Sequence, residues 1–287
     1  MMAKLRIGTC SWKFPSWQGL VYSAPKGINY LEEYARQYDT VEIDQWFWSL
    51  FKPDAVRLPK PADVAAYRAS VPDDFRFTVK APNSVTLTHL YKKTKSDPLV
   101  VNPSFLSPSL FETFLSLLEP VWDVLGAVMF QFEYLNKQKM TSQDQFQTLF
   151  EAFAKQIPTT YAYGVEVRNA QYLNKSFFEF LKRNGLSPVF VQGYWMPPIT
   201  EVYERWRWLV LEQEVVVIRL LGPDRKGIEK MTGKQWNEVV APKDEDLTAV
   251  VDMIGDLLGH GIDIYLNVNN HYEGSAPLTI DRIRQLL

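Results

Sequence analysis

Two glutamates and three cations stand where this chain should be apolar. Glu42, Lys80, Glu166, Arg168 and Arg219 each lie at or near the C-terminal end of a short, β-branched run. Eight such runs recur: Leu5–Cys10, Tyr38–Ile43, Phe75–Val79, Gly126–Phe130, Tyr163–Val167, Ser187–Val191, Val215–Leu220 and Asp263–Val268. Trp12, Gln131, Asn267 and Asn269 close others. Parallel strands buried on both faces read as continuous apolar segments, so charges at their exits need a cause. Carboxylates sharing a low-dielectric site with cations are driven to different pKa values, as proton transfer by an acid and a base requires. Alternation puts Glu42 with Asp44, and Glu166 with Arg168, on one side of their strands. The chemistry expected is acid/base work by Glu42 and Glu166, with Lys80, Arg168 and Arg219 stabilising developing charge. The same residues would also serve as a buried ion-pair network that fixes strand register.

Helical patterns separate the runs. Asn29 is placed to cap a helix carrying Leu31, Tyr34 and Tyr38, and further helices are expected from Pro61 or Ala62 and from Pro108. Thr141 and Ser142 precede Phe146, Leu149, Phe150 and Phe153 at helical spacing. Ser176–Arg183 (closed by Gly185), Asp246–Leu258 and Leu278–Leu286 complete the set, while Tyr194–Trp208, with Pro197-Pro198, reads as irregular. Strand–helix alternation repeated about eight times predicts parallel βαβ units closing into a TIM barrel, one domain over residues 1–287. A doubly wound open sheet is the runner-up, but no Gly-x-Gly-x-x-Gly turn follows the first run.

In a barrel the strand exits and the loops after them form one face, and the loops after strands 7 and 8 commonly bind phosphate. Here those loops hold Arg219, Gly222, Arg225, Lys226, Lys230 and Lys234, then Asn269, Asn270, Gly274 and Ser275. The loop Tyr91-Lys92-Lys93-Thr94-Lys95 adds charge to the same rim. A small anionic ligand is therefore expected at the mouth, although a net charge of −2 gives no global pull on nucleic acid or anionic membrane. Trp12, Trp46 and other aromatics near the exits could stack on sugars or bases, or simply pack. His89, His260 and His271 show no metal-ligand spacing; His89 and His271 with Asp44 or Glu42 would make only a sparse set. No cofactor is assigned. The single cysteine, Cys10, lies inside the first run and reads as a small core residue. Met1-Met2-Ala3-Lys4 shows no signal-peptide pattern, and no apolar run is long enough to span a bilayer, so a cytoplasmic protein is expected.

Seven of these pieces, in order, resemble the YecE-like barrels. They are Gly8-Thr9-Cys10-Ser11-Trp12, Thr40-Val41-Glu42-Ile43-Asp44 with Phe47, and Phe77-Thr78-Val79-Lys80-Ala81-Pro82 with Thr88-His89. Leu125-Gly126 with Phe130-Gln131-Phe132, Val165-Glu166-Val167-Arg168, Ile218-Arg219-Leu220 with Gly222, and Asn269-Asn270 with Gly274 and Ala276 follow. The resemblance implies a TIM barrel and no established reaction. Asp44-Gln45-Trp46 replaces a small polar segment of that family, Glu133 a proline, Leu221 a histidine, and Asn169 and Tyr172 a histidine and a tryptophan; these mark a divergent member. Three functions follow from the residues. The first is a hydrolase or lyase acting on a phosphate-bearing small molecule or phosphodiester. The second is a nucleic-acid-binding or nuclease-like barrel, with steep salt dependence. The third is a carbohydrate-binding or glycoside-hydrolysing barrel using the carboxylate pair. An inert ligand sensor is a further reading. Oligomeric state is not legible.

Overall fold

Eight strands occupy the eight apolar runs: β1 (Leu5–Cys10), β2 (Thr40–Ile43), β3 (Arg76–Lys80), β4 (Leu125–Gln131), β5 (Tyr163–Glu166), β6 (Ser187–Gly193), β7 (Val215–Gly222) and β8 (Asp263–Val268). In the computed structural model they close into a parallel barrel in sequence order, β8 pairing with β1. The fold is thus the TIM barrel rather than the open sheet. The structure describes residues 3–287 except Asp54, Lys93 and Lys95. The N-terminal Met1-Met2 and two lysines of the basic loop therefore lie outside the described residues. A short antiparallel hairpin, Leu50–Lys52 with Ala55–Val56, rises from the loop after β2.

Strand alternation sorts side chains into two apolar layers. On β7, Val216, Ile218 and Leu220 face the helices, while Val217 and Leu221 face the lumen. Arg219 shares their inward side, and its neighbour in the ladder is Asn267 of β8. The lumen's apolar layer is small: Cys10, Ala127, Met129, Val189, Val191, Val217, Leu221 and Tyr265. The outer layer holds most of the core, including Phe111, Phe130, Phe146, Phe150 and Phe153.

Helix starts follow local chemistry. Asn29, Ser107, Ser142 and Asn174 each accept a hydrogen bond from a backbone N–H in the first turn. The segment Tyr194–Trp208, irregular by sequence, instead contains a helix, Ile199–Val210. Proline blocks a helix interior but not the residues just before one, and Ile199, Val202, Tyr203, Leu209 and Val210 form its buried face. A second unforeseen helix, Arg225–Thr232, buries only Ile228, too thin a periodic signal to read.

Where β1 meets β2 the backbones approach closely. Tyr34, fully buried, receives the Thr9 N–H at 2.8 Å and donates its hydroxyl to the Thr40 carbonyl at 3.0 Å. A Cβ on Gly8 would stand 1.9 Å from that carbonyl oxygen. Gly8→Ala is expected to destabilise the protein by roughly 3 kcal/mol, because backbone cannot yield as a side chain can. Chemical denaturation with an unchanged midpoint would show that this seam tolerates a methyl group.

Candidate functional site

From β7, Arg219 crosses the lumen and bonds to side chains of three other strands. Its Nε and Nη2 donate to Glu42 Oε2 and Oε1 of β2 at 2.7 and 2.8 Å. Its Nη1 donates to Glu166 Oε2 of β5 at 2.5 Å and to Gln131 Oε1 of β4 at 3.2 Å. All three charged groups are almost fully buried, with side-chain exposures of 3%, 0% and 1% for Arg219, Glu42 and Glu166. A planar guanidinium can hold one carboxylate bidentately and reach a second at once, a fork that an ammonium lacks.

Two more cations complete the ring. Lys80 Nζ of β3 lies 3.4 Å from Glu42 Oε1, and its ammonium sits 5.3 Å from the Phe47 ring centroid. Arg168 pairs through Nη2 with Glu166 Oε1 at 2.5 Å, and its guanidinium lies 4.6 Å from the centroid of Tyr194. Unlike Arg219, both are partly exposed to the mouth. Above them opens a cavity of about 510 Å³. Glu42, Lys80, Gln131, Arg168 and Arg219 line its floor, with Asp44, Phe47, Trp48 and Tyr91 on one side and Arg225, Asn269, Asn270 and His271 on the other.

The carboxyls of this site are held in opposite directions. Burial raises the pKa of Glu42, but Arg219 and Lys80 outweigh it and the net shift is downward. Burial likewise raises Glu166, and Arg168, Arg219 and Lys80 bring it below the ordinary range. Asp44 moves the other way: burial dominates, Lys80 only partly offsets it, and the charge on Glu42 adds to the rise. Cys10, 3.7 Å from Glu42 Oε2, is kept a thiol by burial and by that same carboxylate.

Several residues expected at the site lie elsewhere. Trp12 is buried edge-on against Tyr67, inside the aromatic packing rather than on the cavity wall. His89 bonds Thr88 through Nδ1 and feels Lys139 and Glu133, a salt-bridged pair of the neighbouring loop. Asn267, beside Arg219 in the ladder, is fully buried off the cavity wall and donates to Thr78 Oγ1 at 3.1 Å. Gly222 lets β7 pass the His271 carbonyl, which a Cβ would meet at 2.3 Å. Gly274 and Ser275 are buried in a loop folded on itself, where Asn270 Oδ1 receives the Ala276 N–H, so they offer no open anion cradle. Ser11 (φ +67°), Phe47 and Tyr194 reach the cavity through loop geometry, and Cys10 from the end of β1. Among the described residues no group of three or more His, Cys, Asp or Glu is arranged to hold a metal ion. None of the described helices is long and apolar enough to cross a membrane.

Removing one partner of a buried ion triad leaves uncompensated charge, which typically costs 3–5 kcal/mol. Arg219→Met is expected to lose about that much, and the triple variant Arg219→Met, Glu42→Gln, Glu166→Gln to regain most of it. Because both glutamates have depressed folded-state pKa values, their contribution is complete above the unfolded value of about 4.3 and disappears as pH falls through the folded values. Thermal melts of the wild type should therefore fall steeply below about pH 4.3, and those of the triple variant less so. Equal acid sensitivity would exclude the triad as its source.

The sequence profile of the family described as protein of unknown function DUF72 matches residues 6–287. UPF0759 protein YecE of Escherichia coli (strain K12) is 29% identical over 180 residues, 63% of this chain and 54% of YecE. The chain thus matches about half the length of that curated relative. The solved structure of a DUF72 family protein (TM1631) from Thermotoga maritima MSB8 is 21% identical, covers 98% of both chains and superposes with a TM-score of 0.67. A DUF72 family protein (EF0366) from Enterococcus faecalis V583 gives 17% identity and a TM-score of 0.66 over 99% of this chain and 96% of its own. At such identities the structural likeness speaks for the fold alone. The profile match over nearly the whole chain makes it a member of the DUF72 family, a barrel whose polar centre is built on Arg219.

Proposed function

We propose that the barrel mouth binds a small ligand through a phosphate or similar anionic group and catalyses proton-coupled cleavage of that ligand. The observation that carries this reading is the unequal use of three cations. Arg219 is almost fully buried, and Glu42, Glu166 and Gln131 take four of its five N–H donors. Lys80 and Arg168 stand on the cavity floor with only part of their hydrogen-bonding capacity used. An ammonium offers three donors and a guanidinium five, so both can receive an anion without giving up their glutamates. Arg225, exposed on the far wall and paired with Glu229, adds a third positive group facing the same space.

In this arrangement the glutamates orient cations, and proton transfer falls to Asp44. A general acid needs a pKa lifted toward the working pH, and Asp44 is the cavity carboxyl with that shift. Lys80 and Arg168 would stabilise the charge that builds on the anionic group as the bond breaks. A glycosidase pair requires one carboxyl kept protonated, which neither Glu42 nor Glu166 supports. Binding of nucleic acid would use the same floor and rim.

Thermal-shift titration with inorganic phosphate, phosphomonoesters, neutral sugars and divalent ions tests the reading. A phosphomonoester near a hundredfold its Kd should stabilise by about 2.7 kcal/mol. Lys80→Ala and Arg168→Ala should lessen that shift. Asp44→Asn should retain binding, abolish turnover and leave stability at neutral pH unchanged or higher, since a raised carboxyl pKa means that ionisation opposes folding. Stabilisation by neutral sugars alone, or none by any anion, would overturn it.

A further inference from the structure

A second pocket adjoins the charged mouth and shares two residues with it. Its volume is about 540 Å³, and Tyr134, Tyr194, Trp195, Met196 and Arg168 form its walls. Tyr194 and Arg168 also line the mouth cavity, so the two spaces meet at this pair. Tyr134 and Trp195 are 58% and 95% exposed, and Trp195 exceeds every other exposed large apolar residue among those described.

The junction is a held element. Gly193 (φ +140°) and Tyr194 (φ +55°) take left-handed conformations, and the Tyr194 N–H donates to the Gly222 carbonyl at 3.1 Å. A Cβ at Gly193 would come within 2.4 Å of that carbonyl, so glycine is required there. A left-handed tyrosine is a strained choice. It sets the phenol against the Arg168 guanidinium, whose other side is anchored by Glu166. The boundary between the charged and aromatic spaces is thereby fixed.

We infer that this pocket is a subsite for a planar ring carried by the same ligand whose anionic group sits on Lys80 and Arg168, which makes the ligand class an aryl or nucleobase-bearing phosphate. The inference rests on the anion reading of the mouth and extends it. Continuity through Arg168 and Tyr194 favours this occupant. One molecule can place its anion on the cationic floor and its ring between Trp195 and Tyr134, where base–aromatic stacking is sequence-tolerant and strong. Arg168 serves both halves, through charge on one side and a flat cation on the other.

Calorimetric titration of the full chain with inorganic phosphate, ribose 5-phosphate, adenosine and adenosine 5′-monophosphate separates the two claims. Adenosine 5′-monophosphate should bind about tenfold or more tighter than ribose 5-phosphate. Trp195→Ala should erase most of that margin while leaving ribose 5-phosphate unaffected, and Trp195→Phe should preserve most of it. Both substitutions are at an exposed position, so folding is not at issue. If the two phosphates bind equally, the subsite is wrong and the anion site stands. If none of the phosphates binds, both fall. A dimer in sedimentation velocity that Trp195→Ala dissolves would identify the patch as a contact between copies of the chain and overturn the inference.

Discussion

One guanidinium sets the geometry of the barrel mouth. Arg219 is buried with two carboxylates, and each of the three charges would be costly alone. Their partners come from β7, β2 and β5, which divide the closed ring into arcs of three, three and two strands. The triad therefore acts as a strut across the lumen in addition to being an ion pair. Swapping such networks for apolar residues is often neutral for stability, so their value lies in placement. Here that value is the fixed position of Lys80 and Arg168, each tethered to a glutamate that Arg219 already holds.

This constraint also divides labour among the acids. Glu42 and Glu166 lie in a cation-rich floor and stay charged, whereas Asp44, at the first turn after β2, feels burial more than it feels Lys80. Two carboxyls, one on β2 and one in the turn just after it, thus have their pKa values shifted in opposite directions. A site can then hold permanent charge for binding beside a carboxyl that exchanges protons, which is how environments rather than residue types assign roles.

Much of the fold was legible because its strands are buried on both faces and hence read as apolar runs. β1 and β8 have the limits that the residue pattern gives, and the others differ by one or two residues at one or both ends. The helix Ile199–Val210 was hidden behind Pro197-Pro198, and Arg225–Thr232 by its near lack of an apolar face. Strand-borne site residues were equally accessible: Glu42, Lys80, Gln131, Glu166 and Arg219 follow from alternation. Loop-borne ones were not. Trp12 lies two residues past β1, beyond the left-handed Ser11, and turns into the aromatic packing; Gly274 and Ser275 match a phosphate loop in composition but are consumed by their own backbone contacts. Tyr194 enters the site only through a left-handed turn that no periodicity announces. Which carboxyl carries the proton depends on burial and on three-dimensional charge, and strand patterns encode neither.

Carbon-detected NMR titration of the side-chain carboxyls tests the central claim most directly. Ordinary aspartate is more acidic than ordinary glutamate, at about 3.9 against about 4.3. Asp44 should titrate above both Glu42 and Glu166, inverting that order, and Arg219→Met should raise both glutamates. A midpoint for Glu42 or Glu166 above that of Asp44 would contradict the account, because the triad would then be the proton-exchanging element and not the strut.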